Sequence, residues 1–263
     1  MTNNVQISID VTIAGFIIRL KLEGFNKKNI ENNFITLRNY FKHYIIKRTG
    51  SDVFDYCLKI VEPTGDDLIF KKSRANFYLK LFTEVSKTKG VCTSNLTSFQ
   101  FDLIMRCIIQ SLLTRNDGIF LHASANLVRN KATLFTGPTG AGKSTISNLL
   151  SKRFTKLEDD LCVVRKINNK YFFYQTPFLG KNRKSKKLSE SYQVERIFII
   201  HQNVQNKLTK LRNSNLIIKS LLKQVIGEPN KSGYYSRILF ELSNCVPVTR
   251  LFFNIKISPQ FFT

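Results

Sequence analysis

The sequence GPTGAGKST, Gly137 to Thr145, decides how the chain is interpreted. It matches the pattern G-x-x-x-x-G-K-[ST], follows the predicted strand Lys131 to Thr136 and precedes a predicted helix, which is the context that this motif requires. Glycines let the backbone bend so that several N–H groups face phosphate oxygens. The helix adds its positive N-terminal end. The stretch predicts a loop that binds a nucleoside triphosphate or a comparable polyphosphate.

The side chains of this loop are expected to contact phosphate and metal. Lys143 would reach the β- and γ-phosphates, and the Ser144 hydroxyl would bind Mg²⁺. We therefore expect ATP and Mg²⁺ as cofactors, although no motif that reads the base is visible and GTP fits equally. The predicted nucleotide-binding residues are Gly137, Pro138, Thr139, Gly140, Ala141, Gly142, Lys143, Ser144 and Thr145.

An acidic stretch, Glu158-Asp159-Asp160, precedes the apolar run Leu161 to Val164. Phosphoryl transfer needs an acidic metal ligand and a group that orients or deprotonates the acceptor. Adjacent carboxylates at a strand end point in different directions. One of them could hold Mg²⁺ while the other accepts the proton of the acceptor. The alternative is an acidic surface turn.

The histidine nearest upstream of the loop lies in GIFLHASA, Gly118 to Ala125. A single histidine on an apolar strand is more often a structural residue. His122, however, is flanked by small residues and is one hairpin away from the loop, so we expect it beside the phosphates. His43 and His201 have no such setting and are interpreted as structural or surface residues.

The hydrophobic pattern predicts two domains, a β-rich module over 1–93 and a nucleotide-binding domain over 94–263. The first would contain two strands within 5–22, broken near Ala14-Gly15, and further strands over 54–62, 67–71 and 76–84, with 31–42 ambiguous. The second would contain a helix over 94–113, hairpins turning at Arg129-Asn130 and Asn168-Asn169, helices over 145–153 and 216–226, a strand over 197–202 and a final strand pair or arm over 247–257.

The chain of 263 residues carries a formal net charge of +23. The functional interpretation of such a charge is an acidic partner: nucleic acid, an acidic protein or peptide, or an anionic membrane surface. The alternative is a lysine-rich sequence with solvated side chains. The charge is spread along the chain, with its densest run at 181–187, KNRKSKK. Basic residues are not interleaved with aromatic ones, which disfavours a nucleic-acid partner.

The five cysteines form no CxxC pair, so neither a disulfide framework nor a zinc site is indicated. The start, MTNNVQISID, has no basic segment followed by an apolar one and does not resemble a signal peptide. No apolar stretch is long enough to span a bilayer. We therefore expect a cytoplasmic protein with reduced thiols and no membrane partner.

The ordered set LHASA, GPTGAGKST and EDD resembles the catalytic domain of HPr kinase/phosphorylase, and more closely its small relatives, some of which phosphorylate peptides from modified-peptide gene clusters. Three later segments are similar to segments of that family, and the resemblance covers about 118 to 257. They are QTPFLG at 175–180, RIFIIHQ at 196–202 and CVPVTRLFF at 245–253.

The resemblance implies an α/β fold with a mixed sheet, the type shared with phosphoenolpyruvate carboxykinase. It also implies an ATP-dependent serine kinase acting on a small protein or peptide, and a homo-oligomer. Carried over to this chain, Asp160 would be the base on the acceptor serine and Asp159 would assist the metal bound by Ser144. Lys143 would bind the phosphates, and His122 would lie near the transferring group.

The chain departs from the family in three places. Phe154 stands where a glycine is common, the stretch between Lys143 and the Asp pair is one residue shorter, and the Gly-Arg-Asn-rich segment of the phosphorylase reaction has no counterpart. The missing segment argues against phosphorolysis and against HPr as the substrate. Two other functions stay open: a nucleotide-gated binding protein or slow ATPase without phosphotransfer, and an ATPase associated with nucleic acid.

Overall fold

A computed structural model of the chain describes residues 4–47, 53–62, 82–178 and 191–262. It divides into two compact units, Met1–Leu112 and Leu113–Thr263. The strand expected over 67–71, part of that over 76–84, the basic run at 181–187 and the end of 175–180 lie outside the described residues. Both units contain a mixed sheet, and five α-helices are present in the described ranges.

The first unit contains a five-stranded sheet in the order β1-β2-β3-β5-β4. The predicted break at Ala14-Gly15 is confirmed, since both residues have positive φ, 55° and 75°, and join β1 to β2. Strand β2 pairs parallel with β3, and β3 pairs parallel with β5. The strands are β1 (Val5–Ile13), β2 (Phe16–Gly24), β3 (Tyr56–Val61), β4 (Phe82–Ser86) and β5 (Lys89–Thr93).

Two helices accompany this sheet. Most of the ambiguous region 31–42 lies in α1 (Lys27–Tyr40), whose first turn is capped by Asn26 accepting from the Asn29 N–H at 3.2 Å. Helix α2 (Ser98–Arg115) runs across the division between the units. Thr97 caps this helix: its hydroxyl accepts from the Gln100 N–H while the Gln100 side chain accepts from the Thr97 N–H, a reciprocal arrangement that satisfies two otherwise unpaired donors.

The second unit is built on a nine-stranded mixed sheet with the order β10-β9-β6-β7-β11-β14-β12, in which β8 and β13 also pair with β6. Strands β7, β11 and β14 run parallel. The strands are β6 (Gly118–Val128), β7 (Lys131–Thr136), β8 (Thr155–Glu158), β9 (Leu161–Ile167), β10 (Lys170–Tyr174), β11 (Tyr192–Gln202), β12 (Lys207–Lys210), β13 (Val225–Ile226) and β14 (Val248–Phe253).

Three helices cover the two faces of this sheet. Helix α3 (Lys143–Leu150) packs with Phe135, Phe198 and Phe253 on one face, and α4 (Ser214–Leu222) and α5 (Ser232–Cys245) join the core of the other. The turns predicted at Arg129-Asn130 and Asn168-Asn169 are confirmed by positive φ at all four residues, as two-residue hairpins require. Helix α3 is shorter than expected, and α5 was not predicted.

Candidate active site

Strand β6 positions the helix that follows the glycine loop. Its alternate residues Ile119, Leu121, Ala123 and Ala125 enter the core on the side of α4 and α5. The residues between them face α3: the Ser124 hydroxyl donates to the Lys143 carbonyl at 3.0 Å, and the Asn126 amide donates to the Ser147 carbonyl at 3.1 Å. His122 is the next residue on this face, because side chains alternate along a strand.

The glycine loop connects the end of β7, Thr136, to the start of α3, Lys143. Three of its residues have positive φ: Gly137 at 156°, Gly140 at 83° and Gly142 at 96°. Its tip, 138–140, is exposed. A methyl group on Gly137 would lie 3.0 Å from the Ile200 carbonyl oxygen. The loop therefore requires glycine for its shape, and its binding of phosphate stays a prediction.

Lys143 lies folded inside this loop. The residue is buried, and its Nζ donates to the carbonyls of Gly137 at 2.8 Å and Pro138 at 3.2 Å. A buried ammonium group needs such partners because desolvation disfavours its charge. Phosphate oxygens would form stronger, charge-assisted hydrogen bonds than these carbonyls. Lys143 Nζ thus lies where it could contact the phosphates of a triphosphate bound in the loop.

His122 and Asp160 form a pair beside the loop. His122 Nε2 lies 3.0 Å from Asp160 Oδ1, and both side chains are partly exposed, by 27% and 45%. Two hydrogen bonds hold the backbone of His122. Its N–H donates to the Gln224 carbonyl at 2.7 Å, and its carbonyl accepts from the Thr136 hydroxyl at 2.9 Å. The structure therefore brings these two predicted residues together.

The distance from this pair to the loop follows from the sheet. The Ala123 N–H donates to the Asp160 carbonyl, and Ala123 pairs with Thr136, the last residue before the loop. Neighbouring strands are about 4.8 Å apart, so the backbones of Asp160 and Thr136 are separated by about 10 Å. Strand β6 lies between these two backbones, so a γ-phosphate and an attacking hydroxyl would have to lie outside the sheet, next to the side chains of His122 and Asp160.

Asp159 has a different environment from Asp160. It is buried, and Lys156 Nζ lies 3.0 Å from its Oδ1 while also donating to Asn148 Oδ1 at 2.8 Å. The two adjacent carboxylates thus have different partners, as expected at a strand end. A metal at Asp159 would compete with the Lys156 ammonium. The role of Asp159 as a metal ligand stays a prediction.

Glu158 shapes the turn that carries both aspartates. Its Oε1 accepts from the Asp159 N–H at 2.8 Å. Burial raises the pKa of Glu158 to about 7; the backbone N–H groups of Asp159 and Asp160 lower it, and their carboxylates raise it. No group of three or more His, Cys, Asp or Glu side chains within the described ranges is arranged to hold a metal. Magnesium bound with phosphate and water needs fewer protein ligands than that.

Several residues of the site were missed from the sequence. Ser124 and Asn126 had a visible signal, because they alternate with His122 along an otherwise apolar strand. Gln202, whose Nε2 donates to the Gly140 carbonyl at 3.1 Å, had none, since its partner is 62 residues away. Of the other histidines, His43 is exposed and His201 stacks on Phe252 at 5.5 Å.

Gly142 is the position of the loop where we expect a side chain to be most harmful. A methyl group there would lie 2.7 Å from Cζ of Phe253 at a φ of 96°. We expect Gly142→Ala to lower the free energy of unfolding by about 1–3 kcal/mol, measured by denaturant titration. Gly140→Ala is the matched control, because its φ of 83° is similar but a methyl group there meets nothing within 4 Å. Equal losses in both variants would contradict the predicted clash with Phe253.

Comparisons with known proteins do not assign the chain to a family. No protein-family model matches the chain, and no curated protein matches it. Solved structures do match, among them the HPr(Ser) kinase/phosphatase from Coxiella burnetii, with 12% sequence identity and a TM-score of 0.29 over 54% of this chain and 90% of that one. A TM-score this low supports no conclusion about activity, so the site is interpreted from its own geometry. None of the described helices is both long and apolar enough to cross a membrane.

Proposed function

We propose that the protein is an ATP-dependent kinase that transfers the γ-phosphoryl group to a serine, or another hydroxyl, of a small protein or peptide. The observation that supports this best is the Asp160 carboxylate, 3.0 Å from His122 Nε2 and partly exposed. The backbone of Asp160 lies about 10 Å from Thr136, the residue that precedes the glycine loop. A carboxylate in that place can accept the proton of an attacking hydroxyl.

The loop would bind the triphosphate. Its backbone N–H groups and the N-terminus of α3 provide positive ends for the phosphate oxygens. Lys143 Nζ would exchange the carbonyls of Gly137 and Pro138 for β- and γ-phosphate oxygens. The partly exposed Ser144 and the nearby aspartates fit a Mg²⁺ ion held largely by phosphate and water. When bound, Mg²⁺ neutralises charge on the β- and γ-phosphates.

The transfer step would use the Asp160–His122 pair. Asp160 takes the proton as the acceptor oxygen bonds to the γ-phosphorus and the bond from that phosphorus to the bridging oxygen of ADP breaks. His122 Nε2 donates to Asp160 Oδ1 and holds the carboxylate in place. His122 is itself fixed through Gln224 and Thr136. Most of the rate enhancement would come from positioning and electrostatic stabilisation.

The acceptor is proposed from charge. The net charge of +23 favours an acidic protein or peptide, to which such a surface is attracted over a distance. A hydroxyl on a flexible peptide can reach the partly exposed Asp160 carboxylate more easily than one on a rigid surface.

A phosphoryl-transfer assay tests the proposal. The protein is incubated with Mg²⁺, γ-labelled ATP and acidic peptides that contain one serine. We expect label on the serine peptides and none on the matched peptides with alanine at that position. Alpha-labelled ATP should label neither peptide. Nucleotide binding with no label on any acceptor, and only trace phosphate release, would instead identify a nucleotide-gated binding protein or slow ATPase.

A further inference from the structure

Two exposed apolar side chains lie at the edge of the sheet where the glycine loop also lies. Strands β7, β11 and β14 are parallel, so their carboxyl ends share one edge. The loop follows β7, Val204 follows β11 and is 87% exposed, and Ile255 follows β14 and is 73% exposed. Ligands of open α/β sheets bind outside the carboxyl ends of parallel strands. We call Val204 and Ile255 the apolar shelf.

Hydrogen bonds between the two turns hold this shelf in place. The Asn254 amide donates to the Val204 carbonyl at 2.6 Å, and the Asn254 N–H donates to Asn206 Oδ1 at 2.8 Å. Within each turn, Asn203 Oδ1 accepts from the Gln205 N–H and Asn254 Oδ1 accepts from the Lys256 N–H. The shelf is therefore carried by ordered backbone.

The shelf adjoins the glycine loop directly. Gln202, two residues before Val204, donates to the Gly140 carbonyl at 3.1 Å. Phe253, two residues before Ile255, occupies the space next to Gly142. The residues that precede the shelf on both strands thus form one wall of the loop.

The order of the strands gives a bound triphosphate its direction. Asp160 and His122 lie on the β6 side of β7, whereas β11 and β14 lie on its other side. With the γ-phosphate at Asp160, as the proposed function requires, the α-phosphate and the nucleoside can extend from the loop towards β11 and β14, away from β6. The apolar shelf offers exposed apolar surface in that direction.

We propose that Val204 and Ile255 bind the purine base of the nucleoside triphosphate whose phosphates lie in the glycine loop. The inference rests on the proposed function for the position of the γ-phosphate. The flat face of a purine is a suitable partner for two aliphatic side chains that are otherwise exposed to water. The side-chain oxygens of Asn203, Asn206 and Asn254 accept from backbone N–H groups. The two aliphatic side chains can contact the face of a purine but form no hydrogen bond with its edge, so ATP and GTP bind with similar affinity.

The test compares ligands with and without a base. Calorimetry measures binding of Mg²⁺-ATP, Mg²⁺-GTP and inorganic tripolyphosphate to the full chain and to the double variant Val204→Ser/Ile255→Ser. We expect both nucleotides to bind the variant about 10-fold more weakly, because several methyl and methylene contacts are lost. Tripolyphosphate affinity should not change. The matched control is Val85→Ser/Leu216→Ser, two exposed apolar side chains outside the site, which should leave all three affinities unchanged.

Other outcomes separate this inference from the proposed function. If the native protein binds ATP no more tightly than tripolyphosphate, or if the double variant keeps the native affinity for ATP, the base is not bound at the shelf and the inference is overturned. A preference between ATP and GTP well above 10-fold would contradict binding without edge selection. If the native protein binds none of the three ligands, the nucleotide site itself is refuted, and the shelf with it.

Discussion

Replacing Lys143 with alanine should lower phosphoryl transfer by at least about 100-fold, the usual effect of removing one group that stabilises charge in a transition state. In the structure its Nζ is buried inside the glycine loop and bonded to the carbonyls of Gly137 and Pro138. Because those carbonyls cannot replace a cation at the β- and γ-phosphates, nucleotide affinity should fall too. Transfer from γ-labelled ATP and calorimetry with Mg²⁺-ATP measure the two effects.

The control for Lys143→Ala must remove the same single positive charge from a position outside the loop. Lys152→Ala removes one positive charge from an exposed position just after α3, and should leave both measurements within about twofold of native. Thermal unfolding of Lys143→Ala shows whether the variant stays folded, since the change leaves the Gly137 carbonyl without the lysine donor, whereas the Pro138 carbonyl still accepts from the Ala141 N–H. A folded Lys143→Ala variant with native transfer activity would refute the proposed role of the loop.

The sequence predicted the loop and the hairpins well because these features depend on local residue chemistry. Local residue chemistry determines the backbone conformation over two to six residues at the positive-φ glycines of the loop and at the pairs Arg129-Asn130 and Asn168-Asn169. The break at Ala14-Gly15 has the same origin. Such signals can be recognised without knowing what the segment packs against.

The elements that were missed fall into two groups. Helix α5 buries Tyr235, Ile238, Leu239 and Leu242, a spacing that indicates a helix and could have been recognised in the sequence. Strand β8 has only four residues and exists through pairing with β6. Its sequence, TKLE, has no strand pattern of its own. Whether such a short segment becomes a strand depends on its pairing with a neighbouring strand and not on its own sequence.

Some residues of the candidate site were predicted from the sequence and others were not. Asp160 and His122 were expected near the loop, and the structure adds that they contact each other at 3.0 Å. The pairing of Asp159 with Lys156 was not expected, because a lysine three residues before a carboxylate is common on any surface. Gln202 and the shelf residues could not be assigned, since only the strand order brings β11 and β14 beside the loop.

The second large effect is expected at Asp160. Asp160→Asn keeps the size of the side chain and an oxygen that can accept from His122, but an amide cannot take a proton from the acceptor hydroxyl. General base catalysis contributes roughly 10²–10⁴-fold, so transfer to a serine peptide should fall by that factor. Nucleotide affinity should stay within a few-fold of native, since Lys143 and the loop are unchanged.

Two measurements distinguish a role of Asp160 as the general base from a structural role. Transfer is followed with γ-labelled ATP and binding by calorimetry with Mg²⁺-ATP, alongside Asp117→Asn, which changes a carboxylate paired with Arg237 at a residue with φ of 47° that suits asparagine. That control should keep native transfer. If Asp160→Asn lost binding and transfer equally, Asp160 would belong to the nucleotide or metal site and not to proton transfer. If transfer fell while binding stayed, Asp160 would be the group through which the acceptor loses its proton, because no other change distinguishes the variant from the native chain.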